Sequence, residues 1–176
     1  EKPRVFSIEQ KANPWQNKIK TLAFTRADSE VIRAKVWGVL IHELFSKIEV
    51  AEDVEWVIED AFVAGKIDLK DKNIFHKILL NVVEHPKLKR FYINEFRVWN
   101  ERDILVPNGQ NIRPDRLMER NQELILLDYK TGAQKKEDEE QMLNYKNIVN
   151  QVFTDKKIKC YLIYIQKKGS LKIKTF

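Results

Sequence analysis

The segment Glu123-Leu124-Ile125-Leu126-Leu127-Asp128-Tyr129-Lys130 constrains the fold more than any other part of the chain. Side chains alternate across a strand, so four consecutive aliphatic residues read as a strand buried on both faces. Such a strand needs a packed layer on either side. The expectation is therefore one α/β domain, a small mixed sheet flanked by helices with an N-terminal helical region. The strand then runs into Asp128 and Lys130, charged groups at a depth where unpaired charge is costly and usually functional.

Composition agrees with one filled core: 176 residues, 43% hydrophobic and 33% charged, with only 5 Gly and 5 Pro, exclude collagen-like and disordered chains. The five glycines form neither GxGxxG nor GxxxxGK, which removes the dinucleotide fingerprint and the Walker A phosphate loop. A lone Cys160 excludes a disulfide framework, a structural zinc site and a cysteine-held iron-sulfur cluster, and a reducing cytoplasm is expected. The first twenty residues scatter charges where a signal peptide needs an apolar run, and no 18-residue apolar run occurs, so the sequence reads as neither secreted nor membrane-spanning. The chain does not open on Met and reads as a fragment of something larger. Its net charge of +6 suits work on a polyanion.

Residues 1–26 have no clear period and carry Pro3 and Pro14, an irregular arm before a domain spanning 27–176. Helices are expected at 28–49, where Ile32, Val36, Leu40, Leu44 and Ile48 recur every fourth residue, at 51–64 and at 69–84. Strands follow at 91–99, 101–106, 111–118 and 123–130, read as a meander, then a helix at 136–153 and strands at 159–166 and 171–176.

Pro114-Asp115 precedes Asp128-Tyr129-Lys130 by one turn near Asn121. Asp128 and Lys130 share a strand face, and antiparallel pairing of the two strands brings Asp115 to it. Two carboxylates and an ammonium then converge, as phosphodiester hydrolysis requires: carboxylates hold a divalent cation, and the lysine orients water and balances charge on the phosphorane-like transition state. The plainer reading is a surface ion pair between Asp128 and Lys130, which the buried run before them disfavours.

These residues resemble the PD-(D/E)XK nucleases, and more narrowly the nuclease domains of RecB/AddA-type helicase-nucleases. The match is literal in Pro114-Asp115 and in Asp128-Tyr129-Lys130-Thr131-Gly132; Gly38 to His42 is similar to the family's GxxxH, and Gln141 with Tyr145 to its QxxxY. The segment Ile112-Arg113-Pro114-Asp115-Arg116 departs from the family's G-x-I-D-R by lacking the glycine. The resemblance implies a restriction-endonuclease-like fold and a magnesium-dependent deoxyribonuclease, of exonuclease type, with manganese able to substitute. It implies that His42, Asp115, Asp128 and the backbone carbonyl of Tyr129 bind the metal and that Asp115, Asp128 and Lys130 are catalytic. Gln141, Tyr145 and Arg116 would bind DNA or organise the site, and Glu95 resembles a family glutamate of undefined role. The implied partners are DNA, single-stranded or at duplex ends, a helicase domain in the same parent chain acting in double-strand-break repair, and a second complex subunit.

Taken alone, His42 lies off the apolar stripe and would be an ordinary surface histidine. His42-Glu43 begins an HExxH string, but Ser46 stands where the second His is required, which excludes the zinc-protease reading. His76 and His85 have no partners at ligand spacing. Two rival functions follow from the same residues: a catalytically inactive nuclease fold kept as a DNA clamp or scaffold, and a free-standing phage-type exonuclease. The first would be expected to have lost an Asp or the Lys.

Overall fold

The computed structural model describes residues 26–105, 109, 111–166 and 169–176, with side chains from residue 34 onward. The arm expected at 1–26 lies outside the described residues except for Arg26, which opens a helix. The chain divides into two units, Glu1–Val36 and Trp37–Phe176; Arg26–Val36 of the first is helical.

Three helices come first: α1 (Arg26–Ser46), α2 (Asp53–Val63) and α3 (Leu69–Val83). The Asp53 carboxylate accepts the N–H groups of Glu49 and Val50 at 2.8 and 2.9 Å, fixing the turn that enters α2. On α3, Phe75, Ile78, Leu79, Val82 and Val83 make one buried stripe at helical spacing. The buried stripe of α1 is Ile41, Leu44, Phe45 and Ile48, while Val36 is 61% exposed. Of the expected row, Leu44 and Ile48 lie on this stripe and Leu40 packs partly buried against it, while Val36 leaves the face because each step of four advances about 40° around a helix. The side chain of Ile32 lies outside the described residues.

A 3₁₀ turn (Lys89–Phe91) leads to β1 (Arg97–Asn100), β2 (Ile104–Leu105), β3 (Asn111–Ile112), β4 (Arg116–Arg120), β5 (Glu123–Thr131), α4 (Lys136–Val152), β6 (Lys157–Ile165) and β7 (Leu171–Thr175). The main sheet runs β1-β4-β5-β6-β7, with only the β5/β6 pair parallel. The meander expected over 91–130 is corrected in three places. Phe91 and Tyr92 are buried anchors ahead of β1, so the strand expected at 91–99 is reduced to its end. The strand expected at 111–118 breaks at Pro114-Asp115, where proline offers no ladder N–H. The strand expected at 101–106 is reduced to β2, and β2–β3 form a separate hairpin that loops out while β1 pairs directly with β4.

Both faces of the sheet are covered. Met118, Ile125, Leu127, Tyr129 and Ile163 join the core built by α1, α2 and α3. Leu117, Leu124, Leu126 and Leu162 pack with Met142, Ile148 and Val149 of α4 and with Ile104 and Ile112 of the hairpin. Truncating a fully buried member such as Leu126 to Ala costs about 2–5 kcal/mol. The β4–β5 turn passes through Asn121, whose φ of 53° is the left-handed conformation that asparagine tolerates. Pairing of β4 with β5 stops at Arg116 opposite Leu127, so Asp128 to Thr131 have no β4 neighbour. Among the described residues no helix is long and apolar enough to cross a membrane.

Candidate metal centre

The open edge left where β4 ends is filled by a side chain. Asp115 sits one residue before β4, and its Oδ2 accepts the Tyr129 N–H at 2.6 Å, taking the place of a ladder carbonyl. The N–H and C=O of one strand residue project to the same side, so the Tyr129 carbonyl faces this edge too. The other oxygen, Oδ1, lies 3.0 Å from His42 Nδ1.

His42 reaches the edge because α1 approaches the end of β5 closely at Gly38. A Cβ on Gly38 would stand 2.8 Å from Thr131 Oγ1, so the glycine of GxxxH is what the approach permits. The hydrogen bond that protonated His42 donates to Asp115 raises the His42 pKa above its usual value, outweighing the opposing effect of burial, with the charges of Asp115, Asp128 and Glu101 adding to the rise.

Asp128 and Lys130 share one face, as their spacing requires. Asp128 is 4% exposed. Lys130 Nζ stands 2.7 Å from Asp128 Oδ2, an ion pair by distance. Among the described residues that ammonium is the one cation beside the buried oxygen, which otherwise has no donor there. Burial, reinforced by the Asp115 charge, pushes the Asp128 carboxyl up to about 6 against the pull of Lys130 and His42. For Lys130 burial works against the ammonium, but Asp128 and Asp115 outweigh it and hold the pKa above the usual lysine value. Lys130 therefore rests as a cation. It donates to Gln141 Oε1 at 2.8 Å; Gln141 Nε2 donates to the Tyr145 hydroxyl at 3.0 Å, and that hydroxyl to the Arg113 carbonyl at 3.5 Å. Gln141 and Tyr145, one turn apart on α4, thus extend a chain of contacts outward from the lysine.

Glu101 was not singled out in the sequence. It follows β1 at φ 53°, and its N–H donates to the Asp115 carbonyl at 2.9 Å, which folds it back to the site. Ligand atoms of His42, Glu101 and Asp115 lie within 4.8 Å of one another. No spacing rule reveals it, because the left-handed turn after β1 places it there.

Glu95 is not in the strand leading to Asp115 but in the turn before β1, where it pairs with Arg120. The register Arg97 opposite Glu119 and Asn100 opposite Arg116 puts Glu95 at the far end of β1 from the site. Arg116 also departs from one half of its expected role. It is fully buried, which excludes contact with a nucleic-acid strand, and it donates to the carbonyls of Ile48 at 2.5 Å, Glu49 at 2.7 Å and Phe91 at 3.0 Å. Its guanidinium lies 4.7 Å over the Tyr92 ring. The Tyr92 hydroxyl meets the Tyr129 hydroxyl at 2.6 Å, and the Tyr129 ring stacks on Phe45 at 4.4 Å. Arg116 thus ties the residues after α1 to the strand bearing Asp115, from behind the metal-facing side.

The donor set of one imidazole with carboxylates fits a hard divalent cation such as Mg²⁺ or Mn²⁺. The buried Asp128 carboxylate is the observation that tests the fit: Lys130 alone faces its Oδ2, the neighbouring Asp115 charge opposes it, and a divalent cation would balance the two carboxylates together. In comparison with known proteins, a family model described as L protein N-terminus matches residues 11–173. No curated protein matches the chain.

Proposed function

The chain belongs to the L protein N-terminus family, and from that premise we propose that it is a metal-dependent nuclease hydrolysing phosphodiester bonds in a nucleic-acid strand. The family description names no reaction, so the reading is carried by the site, above all by the buried Asp128 carboxylate, paired with Lys130 and within reach of the Asp115 and His42 charges.

In this reading His42, Glu101, Asp115 and Asp128, with the Tyr129 carbonyl, hold the cation. When bound, the cation withdraws charge from a phosphate oxygen and lowers the pKa of a coordinated water. Lys130, an ammonium near neutral pH, donates to the attacking water or to a phosphate oxygen and balances the charge that builds there. It does not serve as the resting base. Gln141 and Tyr145 fix the lysine's direction through the chain of contacts described above. Water adds to phosphorus, one P–O ester bond breaks, and the leaving oxygen takes up a proton.

The nuclease resemblance proposes DNA as the strand, and a helicase motor in the same parent chain rests on that resemblance alone. The chemistry uses no sugar hydroxyl, so an RNA strand enters the same test. Labelled single- and double-stranded DNA and RNA are incubated with the protein in Mg²⁺, Mn²⁺ or EDTA. Cleavage of at least one strand with a divalent cation, absent in EDTA and absent for Asp128→Ala, is expected. No hydrolysis of any strand with either cation, or cleavage that persists in EDTA, would overturn the reading.

A further inference from the structure

The edge strand β1 carries a second feature on the same face as Asp128. Trp99 pairs with Leu117, which pairs with Leu126, two residues before Asp128; Arg97 pairs with Glu119 and so with Leu124. Arg97, Trp99, Leu126 and Asp128 therefore lie on one face of the sheet. Trp99 is half-buried and packs against the core on the α4 side, while Arg97 and Arg102 are exposed.

Both guanidiniums turn toward the indole. Arg97 Cζ lies 4.8 Å and Arg102 Cζ 5.9 Å from the Trp99 ring centroid. Neither has a carboxylate within 4.0 Å among the described residues, although the surrounding surface is rich in ion pairs. The carboxylates nearest in sequence or register are engaged elsewhere: Glu95 with Arg120, Glu119 with Lys156, Asp103 with Asn111 and Glu101 with Arg113. Two guanidiniums without a carboxylate partner among the described residues, both against one aromatic ring, are unusual on a surface where exposed arginines ordinarily pair with carboxylates. Contact with the ring restricts their rotamers and does not use their N–H groups, which are the donors that suit phosphate oxygens.

Two strand spacings and two residue rises separate Trp99 from Asp128, on the order of 12 Å. A strand whose scissile phosphate sits at Asp128 thus reaches the two arginines within a few nucleotides. Glu101, two residues after Trp99, links the arginine shelf to the cation-holding residues.

We propose that Arg97 and Arg102, held by Trp99, form a phosphate subsite for a single-stranded nucleic acid extending from the metal centre. The proposal rests on the nuclease reading for its substrate, but its test does not depend on cleavage. A fluorescently labelled single-stranded oligonucleotide is titrated with the protein in EDTA over a series of salt concentrations. Arg97→Ala/Arg102→Ala should bind at least tenfold more weakly at low salt. Each phosphate contact on a single strand contributes about 0.7 to the slope of log affinity against log salt, so losing two should flatten it by about 1.4.

Arg97→Lys/Arg102→Lys keeps the charges and loses the planar stack, and should retain most of the slope while binding severalfold more weakly. A charge-matched control, Lys77→Ala/Lys87→Ala, removes two exposed cations on and just after α3 and should leave affinity within about twofold, since distant exposed charges are screened. Equal binding by the double Ala variant and the unsubstituted protein would overturn the subsite. So would an equal loss in the lysine control, or no binding by the unsubstituted protein. Failure of cleavage alone, with the arginine effect intact in EDTA, would overturn the nuclease reading and leave the subsite standing.

Discussion

The backbone N–H of Tyr129 donates to Asp115 Oδ2 at 2.6 Å, so a carboxylate of the proposed metal centre also completes the hydrogen bonding of a central strand. Two jobs in one side chain give its removal two consequences. Asp115→Ala should abolish metal-dependent cleavage and also lower stability in EDTA by about 1–3 kcal/mol, because the Tyr129 N–H loses its partner. Asp128→Asn should abolish cleavage too, yet raise the melting temperature in EDTA, because it removes a buried charge. Thermal melts of both variants alongside the cleavage assay check this; a destabilised Asp128→Asn variant would contradict it.

Lys130 separates chemistry from metal binding. Lys130→Ala should lower single-turnover cleavage by roughly a hundredfold or more while a calorimetric Mn²⁺ titration changes little, since an ammonium has no lone pair for a cation. Lys130→Arg should rescue poorly, a larger planar group being unable to take the same place against Gln141. Cleavage by the Ala variant at the unsubstituted rate would reduce the lysine to the partner in an ion pair.

Acidity should act on the metal-free fold in one direction. Asp128 binds its proton more tightly folded than unfolded, with a pKa of about 6 against 3.8, so the fold loses stability as pH rises through that interval. His42, raised above 6.5, adds stability that is full below 6.5 and fades as pH rises through its higher folded value. In EDTA the melting temperature should therefore climb as pH falls from about 8 to about 5, with about 1.4 kcal/mol of free energy from Asp128 and a further contribution of the same sign from His42. The increment on adding Mg²⁺ should shrink over the same range, because protons compete for the same atoms. A flat EDTA profile would show that Asp128 and His42 titrate normally.

The tyrosine pair behind the site should influence it without touching it. Tyr92→Phe breaks the contact with the Tyr129 hydroxyl at a cost of about 1–3 kcal/mol. It should weaken Mn²⁺ binding severalfold through the strand that carries Tyr129. Arg116→Met takes the arginine donor from three main-chain carbonyls, of which only that of Ile48 keeps another in Asn100, and should be far more destabilising. Unchanged Mn²⁺ affinity in Tyr92→Phe would confine that pair to packing.

Gly38→Ala should push α1 away from Thr131 and weaken both cleavage and Mn²⁺ binding. Adding Thr131→Ala removes the obstructing oxygen and should recover much of the loss, giving a favourable coupling in a double-mutant cycle. Additive losses would place the effect of Gly38 elsewhere.

Much of the architecture was legible because local signals agreed with the tertiary outcome. The aliphatic run before Asp128 specified a doubly covered strand, and the i, i+2 spacing specified that Asp128 and Lys130 share a face. The helices of the first half followed from their apolar spacing. Where the reading failed, a long-range contact had overridden the local pattern. Phe91 and Tyr92 resemble strand residues and serve as anchors beneath the helices. Arg116 looks like a surface cation and closes the carbonyls that follow α1. Glu101 needed the backbone reversal after β1, which no residue type announces.

His42, Glu101 and Asp115, with Asp128 near enough to feel the Asp115 and His42 charges, come from separate stretches of chain that meet only once the sheet has closed. An ion seated among them would act as a cross-link, pinning helix, turn and strand at one point. Its hold is forfeited whenever any one of them opens. Amide exchange at the tip of β5 and along the second half of α1 would then slow together on adding the ion, as one cooperative unit. The remote β6–β7 hairpin would keep its own pace.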